Sequence, residues 1–102
     1  MDMQQIMKQA REFQQNMTQV QEELGRRRLT GTAGGGMVSA TVNGRQELLD
    51  LAIDQEIINP QDPVMLQDLL VAAINDALGK ARQEAQAEMA KLTGGFSIPG
   101  LL

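Results

Sequence analysis

Between Ile6 and Leu24 the apolar side chains Ile6, Ala10, Phe13, Met17, Val20 and Leu24 recur at alternating steps of four and three. Gln, Lys, Arg and Glu fill the remaining faces. This spacing predicts one helix over residues 3–24 carrying the a/d seam of a coiled coil or helical hairpin. Gly25 is the expected stop. At about 1.5 Å rise per residue such a helix is roughly 35 Å long. A small sheet cannot cover it, so its seam requires another helix.

After Gly25 the period changes to two. Arg28–Ala33 is a short strand candidate, and Gly34-Gly35-Gly36 follows as a flexible connection. From Met37 to Val42, Val38, Ala40 and Val42 share one face and Met37, Ser39 and Thr41 the other. Asn43-Gly44 is the pair favoured in a two-residue type I′ hairpin, which would set Val38 opposite Leu49. Leu49, Leu51 and Ile53 then form one face of a third strand. Asn59-Pro60-Gln61-Asp62-Pro63 interrupts the pattern, with Asp62 as helix cap and Pro63 in the first helical position. Leu66, Leu69, Leu70, Ala73, Ile74, Ala77, Leu78 and Ala81 form a helical apolar stripe, which Ala85, Met89 and Leu92 extend. Gly94-Gly95 is the expected end, before an apolar tail from Phe96 to Leu102.

The expectation is a single α+β domain spanning 1–102, with element order αβββα: an antiparallel three-stranded meander flanked by two long helices. Its parts are helix 1 (1–25), sheet (26–54), helix 2 (62–93) and a flexible apolar tail (94–102).

Composition narrows the chemistry. Apolar residues make up 42% of the 102, yet the only aromatics are Phe13 and Phe96. The resulting core is thin for a monomer, a first pointer to a dimer. With no cysteine, disulfides and thiolate metal sites are excluded. With no histidine, the commonest general base and metal ligand is missing. No apolar run approaches the ~20 residues of a membrane span, and Met1-Asp2-Met3-Gln4-Gln5 lacks the layout of a secretion signal. A soluble cytoplasmic protein is expected, not an enzyme, with no cofactor, metal, membrane or small-molecule substrate.

The net charge of −4 is unevenly spread. Residues 1–45 hold six basic and four acidic side chains (+2), and residues 46–102 hold three basic and nine acidic (−6). Such asymmetry points to an interaction face.

Several segments invite a chemical reading. The run Thr30–Met37 is glycine-rich, but a phosphate loop needs Gly-Lys-Ser/Thr opening a helix, and here Gly36 leads through Met37 into a strand. Asp50 and Asp54 read as a solvated strand face, since no other ligand type accompanies them. Ser39 and Ser97 have no histidine to activate them. Met3, Met7, Met17, Met65 and Met89 fit either an adaptable peptide groove or core and interface filling. The tail from Phe96 to Leu102 has two readings, packing on a partner subunit or no fixed structure.

The basic residues carry the sharper hypothesis. Arg26, Arg27 and Arg28 fall where the first helix gives way to the sheet. Lys8 and Arg11 lie near that helix's free end, and Lys80, Arg82 and Lys91 lie on the second helix. Isolated surface cations are ordinary, but three successive arginines repel one another unless solvent or an anionic partner relieves them. The arginine fork also suits phosphate. No aromatic platform is present for stacking single-stranded bases.

Four segments in order resemble one family: Thr30-Gly31-Thr32-Ala33-Gly34-Gly35-Gly36-Met37-Val38, Thr41-Val42-Asn43-Gly44, Val71-Ala72-Ala73-Ile74-Asn75-Asp76-Ala77-Leu78 and Lys91-Leu92-Thr93-Gly94-Gly95. With the Met- and Gln-rich first helix, they are similar to the YbaB/EbfC nucleoid-associated proteins across the whole chain. The resemblance implies a tweezer-like homodimer that binds double-stranded DNA at the nucleoid. On it, Arg26, Arg27, Arg28, Lys8 and Arg11, then Lys80, Arg82 and Lys91, are the expected phosphate contacts. Where the family often carries lysines on its second and third strands, this chain has Ser39, Gln46, Leu48 and Asp50. Contacts are therefore expected to be few, mostly to phosphate, weak in sequence preference and sensitive to salt. The competing expectation is a protein-interaction adaptor or chaperone-like dimer, with another protein bound in the Met-rich grooves.

Overall fold

The computed structural model describes residues 2–92. Its order is α1 (Met3–Arg26), β1 (Arg28–Ala33), β2 (Val38–Asn43), β3 (Leu48–Ile53), a short 3-10 turn (Gln55–Ile57) and α2 (Pro63–Leu92). The expected αβββα chain is present. The last expected residue of helix 2, Thr93, and the tail 94–102 lie outside the described residues.

Asp2 opens α1 by accepting a hydrogen bond from the Gln4 amide at 3.2 Å. Gly25 does not stop the helix, contrary to expectation. The helix runs on to Arg26 and ends because Arg27 turns extended, at φ −77° and ψ 147°. The freed Leu24 carbonyl accepts the Arg27 amide at 3.2 Å and the Gly44 amide at 2.7 Å. The end of α1 is thus tied to the β2–β3 turn, and Leu24 is buried beneath it.

The sheet is antiparallel in the order β1-β2-β3. At the β1–β2 corner Gly34, Gly35 and Gly36 all have positive φ, between 64° and 93°, which other residues rarely tolerate. The next corner differs from the expected two-residue type I′ turn. The Gln46 amide donates to the Asn43 carbonyl at 3.1 Å and the Asn43 amide to the Glu47 carbonyl at 3.0 Å. Gln46 takes the left-handed conformation at φ 64°, so Gly44, Arg45 and Gln46 form a three-residue loop. The Asn43 carboxamide organises this loop, accepting the Arg45 and Glu47 amides at 2.9 and 3.1 Å.

Register changes accordingly. Val42 pairs with Leu48, and a bulge beyond it leaves Leu49 as the extra residue, so that Thr41 pairs with Asp50 and Val38 with Ile53. Val38 is therefore not opposite Leu49. The odd-length loop and the one-residue bulge together move the register by an even number, so Leu51 and Ile53 still share a face with Val38, Ala40 and Val42.

That face packs on α2. Asp62 caps α2 by accepting the Met65 amide at 3.2 Å, with Pro63 in the first position, where no amide donor is needed. Ala73, Ala77 and Ala81 are fully buried against Val38, Ala40 and Val42. Ile57 closes one end, and Leu29, Ala33, Ile53, Leu66, Leu69, Leu70, Ile74 and Leu78 pack around this centre. The approach is tight at Gly31, where a Cβ would lie 2.2 Å from the Ala77 nitrogen and 2.5 Å from the Ala73 oxygen. The opposite sheet face, with Thr30, Thr32, Ser39, Thr41 and Asp50, faces solvent.

The molecule is elongated. Its principal extents are 69 × 25 × 17 Å and its radius of gyration is 19.1 Å, against about 13 Å for a compact chain of this length. The excess comes from α1, most of which projects beyond the body with Ile6, Met7 and Phe13 about half exposed.

Candidate nucleic-acid interface

Helix geometry sorts the cations of α1. At about 100° per residue, Lys8, Arg11 and Arg26 lie roughly 140–160° around the helix from the apolar seam. They share one solvent-facing side. Arg27 lies closer to the seam and turns toward α2. It forms an ion pair with Glu84, a second with Glu88 at 2.9 Å, and a longer one with Glu23 at 3.9 Å.

Glu88 is only 8% exposed and also accepts from Lys91 at 3.2 Å. The hydrogen bonds from Lys91 and then Arg27 hold its carboxyl below the ordinary glutamate range, outweighing the opposing effect of burial. Arg27 is correspondingly raised, chiefly by its hydrogen bond to Glu88. This network joins the base of α1 to the outer half of α2.

Lys80 is also engaged. Its Nζ donates to the Thr30 carbonyl at 2.8 Å and lies 3.6 Å from the Asp76 carboxylate, which accepts the Thr32 amide at 3.1 Å. Together Asp76 and Lys80 satisfy one amide and one carbonyl on the outer edge of β1.

The eight expected cations therefore divide. Arg27, Lys80 and Lys91 are held by protein groups. Lys8, Arg11, Arg26, Arg28 and Arg82 have no side-chain hydrogen bond or ion pair among the described residues. Arg26 lies at the end of α1, and Arg28 opens β1 opposite Asn43. Arg82 is on the side of α2 turned away from the sheet, separate from the others. The structure also brings in Arg45, which sequence reasoning passed over. Its side chain lies over Gly25, with Cδ 3.3 Å from where a Cβ would stand, and its Nε is 4.0 Å from Glu47. Only the docking of the β2–β3 turn on the end of α1 places Arg45 beside Arg26 and Arg28.

Such a surface can meet separated phosphates with individual guanidinium and ammonium groups. It is not a uniform positive field, because Glu12, Glu22 and Glu23 share α1. Exposed Asp50, Asp54, Glu56, Asp62 and Asp68 give β3, the 3-10 turn and the start of α2 an acidic character. Asp54 caps the 3-10 turn by accepting the Glu56 amide at 2.9 Å. Among the described residues no group of three or more acidic side chains is arranged to hold a metal ion, and no helix is long and apolar enough to cross a membrane.

Residues 1–96 match the model of the YbaB/EbfC DNA-binding family. A nucleoid-associated protein of Clostridium acetobutylicum is 48% identical over 100 residues, covering 98% of this chain and 89% of that protein. A nucleoid-associated protein of Syntrophobacter fumaroxidans is 48% identical over 95 residues, covering 93% and 86%. The crystal structure of an uncharacterised Helicobacter pylori protein superimposes with a TM-score of 0.84 at 29% identity, covering 92% of this chain and 99% of that one.

Proposed function

The chain belongs to the YbaB/EbfC DNA-binding family, and from that premise we propose that it binds double-stranded DNA as a homodimer, chiefly through phosphate, at the bacterial nucleoid within the cytoplasm. The observation that carries this reading is the set of unpaired cations on one side of α1 and at its base: Lys8, Arg11, Arg26 and Arg28, with Arg45 alongside. Arg82 adds a separate cation on α2. Arg27, Lys80 and Lys91 serve mainly to hold the frame. Phosphate contacts of this kind position a duplex without reading its bases, so sequence preference is low.

The two sheet edges support a homodimer. Asp76 and Lys80 meet the Thr32 amide and the Thr30 carbonyl on the outer edge of β1, whereas among the described residues no hydrogen bond is made to the outer edge of β3. Leu48, Leu49 and Leu51 on β3 are 39–47% exposed, with Ile58 exposed just beyond. A bare apolar edge is a template for strand pairing. Two copies joined β3 to β3 across a two-fold axis form one six-stranded sheet with an isologous interface. The pair then presents two projecting α1 helices, the arms of a tweezer.

Titration of labelled duplex DNA by fluorescence anisotropy over a range of salt concentrations tests the proposal. The wild type binds at low salt and weakens as salt rises. The double variant Arg26→Ala/Arg28→Ala binds less tightly, and its log-log salt slope falls by about 0.9 for each phosphate no longer neutralised. Arg27→Ala keeps most of that slope and is less stable to heat instead. No binding by the folded wild type at low salt rejects the reading.

A further inference from the structure

We propose that Glu88 is a positioning residue for DNA binding: acting through Arg27, it fixes the direction of α1 and with it the place of Lys8 and Arg11, a role that rests on reading those two cations as phosphate contacts. Little else restrains this helix. Among the described residues, Leu24 is the one buried side chain of α1, and every residue from Met3 to Asn16 is exposed. At the base, the Leu24 carbonyl accepts the Gly44 amide at 2.7 Å. That bond anchors one point and leaves the helix free to tilt about it. Farther out, a groove rather than a packed seam separates the helices. Asn16, Gln19, Val20 and Glu23 line it from α1, and Glu88, Lys91 and Leu92 from α2.

Glu88 spans this gap. It is buried, takes a hydrogen bond from Lys91 at 3.2 Å and pairs with the Arg27 guanidinium at 2.9 Å. Glu84, one turn earlier on α2, pairs with the same guanidinium. Two carboxylates of one helix that hold a planar fork restrain its orientation as well as its distance. Arg27 directly follows the last residue of α1, so that orientation passes to the helix. The lever is long: Lys8 and Arg11 stand about 27 and 22 Å along α1 from Arg26. A tilt of about ten degrees at the base moves them by roughly 4–5 Å, farther than a charge-assisted hydrogen bond can follow. An untethered α1 can still reach phosphate, but it must be ordered when DNA binds, which lowers affinity.

Glu88→Ala in the full-length protein gives a test whose sign is diagnostic. Electrostatics alone predicts that removing an anion, and releasing Arg27 and Lys91 from it, tightens binding to DNA. Positioning predicts the reverse: about fivefold weaker binding of labelled duplex, with the salt slope kept because the same phosphates are met. Tighter or unchanged binding overturns the proposal. A second measurement needs no DNA. The chain has no cysteine, so Gln5→Cys/Gln83→Cys, both at exposed positions, accepts one nitroxide label on α1 and one on α2. Diluted with unlabelled protein, it gives a narrow distance distribution by pulsed electron paramagnetic resonance. Adding Glu88→Ala broadens that distribution several-fold while circular dichroism stays unchanged. An equally narrow distribution overturns the proposal. If the wild type binds no duplex at low salt, the DNA reading falls, and the width of the distribution alone decides whether Glu88 holds α1.

Discussion

Gly31 sets how closely α2 can approach the sheet. The Ala73 oxygen and Ala77 nitrogen crowd the position of its absent Cβ, and both are rigid backbone atoms that no rotamer change can move. Gly31→Ala therefore pushes α2 outward or bends β1, at a cost of about 1–3 kcal/mol or more. Urea unfolding shows this as a lower midpoint with an unchanged slope. Glu88 stands seven residues beyond Ala81 on the stripe that α2 buries, where an apolar residue would continue the pattern. Arg27 and Lys91 make its charge tolerable there. Its native pKa lies below the unfolded value, so ionised Glu88 adds stability above the ordinary glutamate range of about 4.3. That contribution is lost as the pH falls from there through the lowered native value. Glu88→Gln should be less stable than wild type at neutral pH, and the gap should narrow as pH falls through that window in thermal melts recorded at a series of pH values. The apolar stripe implies an inward-facing residue 88, but its partner is not legible in the sequence, because Arg27 is far away along the chain.

Among the elements, the strands β1 and β3 are both edges of one sheet and are treated differently. Asp76 and Lys80 reach over from α2 to the Thr32 amide and Thr30 carbonyl, so β1 offers no free ladder at that point. On β3, Leu51 faces the same way as Val38 and Ala40, but α2 crosses β1 and β2 and leaves it 39% exposed. Leu49→Lys/Leu51→Lys adds charge to that edge without touching the buried centre. The variant should remain folded by circular dichroism and sediment as a monomer at micromolar concentrations, where the proposed homodimer predicts that the wild type sediments as a dimer. A variant that sediments as a dimer like the wild type places the interface elsewhere, and a monomeric wild type overturns the homodimer. Both helices and all three strands are readable from hydrophobic period and the Asp62-Pro63 start. The β2–β3 turn is not, because Asn43-Gly44 suits a type I′ pair, whereas here the Asn43 side chain and the docking of Gly44 on Leu24 impose a longer loop.

At the scale of the whole molecule, shape and charge are both lopsided. α1 extends a small body to 69 Å, carrying Lys8 and Arg11, which have no side-chain partner among the described residues, away from the acidic side chains of β3 and the start of α2. The negative net charge thus does not forbid binding to DNA, because at physiological salt fields are screened within about 8 Å. Local cations then matter more than the total. This arrangement predicts a steeply salt-dependent association with modest affinity. It also predicts that neutralising distant acids, as in Asp54→Asn/Asp62→Asn, changes DNA affinity little beside the weakening in Arg26→Ala/Arg28→Ala, in parallel anisotropy titrations.

Local sequence sufficed for whatever depends on neighbours along the chain: the seam of α1, the alternation of the strands, the cap of α2, the glycine corner and the absence of histidine and cysteine chemistry. The four ordered motifs carried the family. Tertiary structure alone decided which cations remain open, because Arg26, Arg27 and Arg28 are adjacent in sequence yet point to different sides of a helix end, and only one of them meets Glu84 and Glu88. It also decided that Gly25 continues the helix and that Asp76 and Lys80 of α2 reach the edge of β1 at Thr30 and Thr32. Each of these depends on groups brought together from distant parts of the chain, which hydrophobic period does not encode.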